Sequence, residues 1–87
     1  MPRLPLEIRI KRDGAITLVD RQQGGQEQAV TREKLLQAVK VIQANHPEQA
    51  VVINADKNLK YDDVMRVMDT LQGGKIKRVG LLVKPDK

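Results

Sequence analysis

The 87-residue sequence predicts an α+β fold in one domain, residues 1–87: a two-layer sandwich with two helices packed on one face of a small mixed β-sheet. Three observations carry that reading. Leu6-Glu7-Ile8-Arg9-Ile10 alternates apolar and charged residues at period two, the mark of a strand with one buried face. Two later stretches, from Leu35 and from Val64, repeat apolar residues at helical spacing and have a single apolar stripe each. A short apolar run follows each helix, Ala50 to Ile53 and then Val79 to Val83, so the last three elements read as a βαβ unit with parallel strands.

Each element has a local reason. Residues 1–5, Met1-Pro2-Arg3-Leu4-Pro5, read as the flexible end of a linker. After the first strand, Arg12-Asp13-Gly14 supplies an Asp-Gly turn, and Ala15-Ile16-Thr17-Leu18-Val19 a β-branched partner, which makes an antiparallel hairpin. Gln22 to Gln28 is a polar loop around Gly24-Gly25, with a short third pairing at Gln28 to Val30. Thr31 is a good N-cap and Glu33 stands in the first turn, where the helix dipole favours an anion; this helix carries Leu35, Leu36, Val39 and Ile42 on its buried face and stops at Pro47. Glu48 to Ala55 reads as a buried strand with Val51 and Ile53 in the core. Tyr61 to Gln72 returns to helical spacing, with Tyr61, Val64, Met68 and Leu71 as its core residues and Gly73-Gly74 as its C-cap. The order is β-β-(β)-α-β-α-β.

Composition excludes more than it assigns. The chain has no cysteine and no serine, so disulfides, thiolate metal sites and serine or cysteine nucleophiles are all ruled out. His46 is the single histidine and reads as part of a helix stop, since a zinc site would need three or four ligands. Asp62-Asp63 are adjacent on a helix and do not converge; they read as first-turn acids, with Asp62 spaced to pair with Arg66. No residue set is therefore read as catalytic, as a metal site or as a cofactor site. Asp56-Lys57 stands past the end of an apolar strand, where open α/β sheets bind ligands, and reads first as a turn. Sixteen Lys and Arg against eleven Asp and Glu give +5, which suits an acidic partner. Lys75, Lys77 and Arg78, with Lys84, form a basic cluster and read as a solvated edge. The apolar runs fall far short of the roughly 20 residues of a membrane helix.

Val51-Val52-Ile53-Asn54-Ala55-Asp56-Lys57, Tyr61, Val64-Met65-Arg66-Val67-Met68-Asp69-Thr70-Leu71 and Arg78-Val79-Gly80-Leu81 together resemble the carboxyl-terminal periplasmic domain of the ExbD/TolR family, ExbD more closely than TolR. The resemblance implies a periplasmic domain held to the bacterial inner membrane by a helix that this sequence lacks, along with that helix's proton-handling aspartate. It implies a non-enzymatic subunit of a proton-motive-force-driven motor, working with an ExbB-like membrane partner to energise a TonB-like protein in outer-membrane uptake. It also implies a homodimer, and a partner groove along Val79, Gly80, Leu81, Leu82 and Val83, with Leu81 tied to function. Two departures stand out. The family commonly has glycine where Lys75 stands, and an acid or proline where Lys60 stands. Two alternatives remain: a TolR-like envelope-integrity subunit that binds peptidoglycan, and, from another class, a small basic nucleic-acid-binding domain. Tyr61 is the only aromatic residue, which argues against base stacking and leaves that last reading with phosphate contacts alone.

Overall fold

In the computed structural model, which describes residues 4–56 and 58–83, the strands are β1 (Leu6–Ile10), β2 (Ile16–Asp20), β3 (Glu27–Val30), β4 (Val51–Ala55) and β5 (Val79–Val83). Two helices, α1 (Arg32–Asn45) and α2 (Tyr61–Gly73), precede β4 and β5. The strands form one sheet in the order β3-β2-β1-β4-β5. β2 is antiparallel to β1 and β3, whereas β4 runs parallel to both β1 and β5. The predicted two-layer sandwich is the observed one, and the weak third strand exists, one residue longer than its sequence signal.

Register decides which side chains enter the core. Ile8 lies opposite Leu18 on one side and Ile53 on the other, so Leu6, Ile8 and Ile10 share a face with Ile16, Leu18, Val51 and Ile53. All seven are buried and cluster with Leu35 and Val39 of α1 and Val67 and Leu71 of α2. Glu7, Arg9, Thr17 and Asn54 stand on the opposite face by the same alternation. Leu36, Ile42 and Met68 are half-buried at the margin of the cluster.

The helix ends follow side-chain chemistry. Thr31 caps α1 by accepting the Lys34 N–H at Oγ1 (3.2 Å). Lys60, at the N-cap of α2, makes no such bond. At the other end of α2, the Ile76 N–H donates to Leu71 O (3.0 Å) and the Lys75 N–H to Gln72 O (2.9 Å). Lys75 takes the left-handed conformation at φ 63°. These bonds make a Schellman closure, and the buried pair Leu71 and Ile76 supplies the apolar contact that accompanies it. The predicted C-cap is the observed one, Gly74, while the left-handed residue comes one position later, at Lys75. Gly74 has φ −87° and serves packing instead, because a Cβ there would run into the Leu36 side chain of α1.

Three further expectations need correction. Tyr61 is 71% exposed, not core: it lies on the same helical side as Val64 and Leu71, but a first-turn side chain leans toward the helix N-terminus, off the end of the packed layer. Val67 is buried in its place, at i+3 from Val64 and i−4 from Leu71. β4 begins at Val51 and not at Glu48, because the Gln49 N–H donates to His46 O (2.9 Å) and closes a turn after Pro47. Gln49 is fully buried there, and its Nε2 donates to Leu4 O (2.8 Å) and Ala50 O (2.9 Å). Finally, Asp62 and Arg66 do not pair; the ion pairs among the described residues join Glu7, Arg9, Arg21 and Glu27.

Leu71 is completely buried and anchors both α2 and its closure, so Leu71→Ala is expected to cost about 2–4 kcal/mol. Asp63→Ala, which removes only a first-turn acid, should cost less than about 1 kcal/mol. Urea unfolding of the two variants checks the difference, and equal losses would mean that the assigned face of α2 is wrong.

Candidate functional site

The two edges of the sheet are unlike. β3 presents Glu27, Gln28 and Ala29, all exposed, and is short. β5 is Val-Gly-Leu-Leu-Val, pairs with β4 alone among the described strands, and so keeps one line of backbone N–H and C=O groups free for pairing. Its register places Val79 and Leu81 on the helix-covered face, opposite Val51 and Ile53. Val79 packs against the core, while Leu81 is 44% exposed. Gly80 and Leu82 lie on the other face, and Leu82 is 55% exposed. The apolar exposure of β5 is therefore on both faces.

On the open face the sequence signal was only an alternation of charge, and the structure turns it into a lattice. The Glu7 carboxylate accepts from Arg9 Nε at Oε2 (2.8 Å), from Arg21 Nη2 at Oε1 (2.9 Å) and from Asn54 Nδ2 at Oε2 (3.1 Å). Arg9 Nη1 donates onward to Glu27 on β3 (2.9 Å). This chain of contacts ties β3, β1, β4 and the 3-10 turn Arg21–Gln23 together. The hydrogen bond from Arg9, aided by those from Asn54 and Arg21, lowers the Glu7 pKa to about 2 against the opposing effect of partial burial. Beside the lattice lies a groove of about 420 Å³ lined by Pro5, Glu7, Arg9, Arg21, Val52, Asn54 and Leu82. It joins the polar lattice to the apolar β5 edge, a juxtaposition that no local pattern announces, because its residues come from four separate segments.

The other residues singled out from sequence fall elsewhere. Asp56 makes a turn: its Oδ1 accepts the Asn58 N–H (2.8 Å) and its carbonyl accepts the Leu59 N–H (3.0 Å). Lys57 lies outside the described residues, as does the side chain of Val83. His46 is exposed after α1. No group of three or more His, Cys, Asp or Glu among the described residues is arranged to hold a metal ion. No helix among them is long and apolar enough to cross a membrane.

The Glu7 lattice carries a pH dependence whose sign follows from the lowered pKa. A carboxylate stabilised in the folded state contributes fully above its unfolded pKa near 4.5, and that contribution is lost as pH falls from there toward 2. Glu7→Gln is expected to lower stability at neutral pH by on the order of 1 kcal/mol, a figure reduced for the solvent exposure of both arginines. Urea midpoints of parent and variant should converge over that acid range; a constant gap would refute the assignment.

The family model described as Biopolymer transport protein ExbD/TolR matches residues 1–86. Among curated proteins, none matches the chain. The family match runs through every element of the sandwich, from the central strand to the β5 edge, and the chain belongs to the ExbD/TolR family of biopolymer transport proteins.

Proposed function

We propose that this chain is an ExbD-like periplasmic module that receives a TonB-like protein by strand addition onto β5. The observation that carries the reading is the β5 edge itself: an apolar strand with one free side and with Leu81 and Leu82 exposed on opposite faces. The family is a non-enzymatic one that acts in biopolymer transport, is anchored in the inner membrane with a periplasmic domain, and works with ExbB/TolQ and TonB/TolA partners. The words Ala55-Asp56-Lys57 and Val67-Met68-Asp69-Thr70-Leu71 favour the ExbD-like branch over the TolR-like one. An extended segment laid along β5 gains main-chain hydrogen bonds, and its alternate side chains meet Leu81 on one face and Leu82 with the open-face groove on the other. Gly80 lets that backbone come close.

The competing account makes Leu81 a core residue whose loss unfolds the domain, and its exposure argues against that. Leu81→Gln should leave the circular dichroism spectrum unchanged and weaken binding of a linear TonB periplasmic segment by about tenfold in an NMR titration. A folded variant that binds normally would sink the site. The same free edge suits a second copy of the chain, and a symmetric homodimer is expected. Sedimentation that stays monomeric up to millimolar concentration would refute the homodimer.

A further inference from the structure

The connection from α2 to β5 concentrates positive charge in an unusual backbone. Among the described residues, the non-glycine positions with positive φ are Lys75 (63°) and Arg78 (59°), both cationic and both in this one loop. The left-handed position that closes a helix is taken by glycine at little cost, and two glycines stand immediately before it, yet Lys75 occupies it. A strained non-glycine residue is a reason to look for what its side chain does. Lys75, Lys77 and Lys40 of α1 line one groove of about 260 Å³, whose floor includes Ala44, Pro47 and Ile76. No carboxylate lines it, and none of the three lysines makes an ion pair among the described residues.

The groove is also held in shape. Gln43 of α1 donates from Nε2 to Lys77 O (2.6 Å) and to Gln49 O (3.0 Å), and its Oε1 accepts the Lys77 N–H (3.1 Å). Arg78 O in turn accepts the Val51 N–H (2.9 Å), which delivers the loop into β5. Like charges gathered in one groove repel, and here that repulsion is left uncompensated within the described residues. Lys77 stands two residues ahead of Val79, the first residue of β5.

We infer that the Lys40–Lys75–Lys77 groove is an anion-binding extension of the β5 edge, and that it selects partner segments carrying carboxylates at the end that overhangs the start of β5. This rests on strand addition at β5. Amide chemical shifts separate the two ideas, because β5 and the Lys75–Lys77 loop are different reporters.

The probe is a short alternating Val-Thr peptide, bare or with three glutamates at its amino or carboxyl end. One of the glutamate-tipped peptides should bind about tenfold tighter than the bare one at low salt, and the gain should vanish at high salt. The end that works gives the strand direction. Lys75→Gly should raise the urea midpoint of the domain, by relieving the left-handed lysine, while reducing the glutamate gain by about two- to fivefold. Lys40→Gln, on the exposed side of α1, should reduce the gain without changing the midpoint. If neither tipped peptide binds better than the bare one while all shift the β5 amides, the groove proposal is overturned and strand addition stands. If a tipped peptide shifts only the Lys75–Lys77 amides, the anion site stands and strand addition falls. Undiminished gain in both lysine variants overturns the site.

Discussion

The register of β1 is the constraint on which the rest of the structure depends. β1 is the middle strand, paired with β2 on one side and β4 on the other, and its odd and even residues are chemically opposite. A slip by one residue would carry Glu7 and Arg9 under the helices and put Leu6, Ile8 and Ile10 in water. Burial of two charges without partners costs far more than a domain of this size can hold in reserve. The helices add little to that choice. They cover whichever face is apolar, and both offer a single stripe.

Given that register, the open face has to be polar, and it is polar in a structured way. Glu7 uses both carboxylate oxygens, and its arginine partners come from its own strand and from the turn after β2. Asn54 adds a donor from β4, so the lattice crosses strands instead of running along one. The lattice fills the centre of that face and leaves the apolar exposure to β5, where Leu81 and Leu82 stand out on opposite sides. The contrast between edges follows. β3 is guarded by a charged residue already engaged with Arg9, while β5 is apolar and open.

Most of the fold is legible in the sequence because period-two and helical spacing are local signals. Hairpin, helices and the βαβ unit all follow from them. What escapes is non-local or depends on an element's end. Tyr61 has the right phase for the core and the wrong place along α2, and phase alone cannot show where the sheet beneath a helix stops. Val67 was readable from its spacing to Val64 and Leu71. Gln49 looks like strand and is instead a buried turn residue, because the carbonyls it satisfies belong to Leu4 and its own neighbour Ala50. The Gly73-Gly74 signal gives the end of α2 but not the left-handed residue after it, nor the packing of Gly74 against the Leu36 side chain on another helix. Of the site, the strand was legible and both grooves were not; their linings are assembled from segments far apart in the chain.

A small core gives the β5 edge a second meaning. An 87-residue domain buries a modest fraction of its surface, so its stability is a narrow margin and every strand contributes to it. β5 is held by one neighbouring strand and by Val79 at the margin of the core, with Leu81 and Leu82 half in water. A segment added to its free side turns an edge strand into an interior one, and any species that binds the folded form alone stabilises it in proportion to RT ln(1 + [L]/Kd). Occupancy of the edge and stability of the domain are thereby linked. The link is reciprocal: whatever loosens β5 would weaken the hold of an added segment, and whatever tightens its attachment to β4 would strengthen it. The loop from Gly74 to Arg78 sits at the junction of these effects, since it closes α2, sets the start of β5 and is pinned to α1 through Gln43. The left-handed backbone at Lys75 and Arg78 therefore stands at the entry to the edge strand, between the end of α2 and the start of β5.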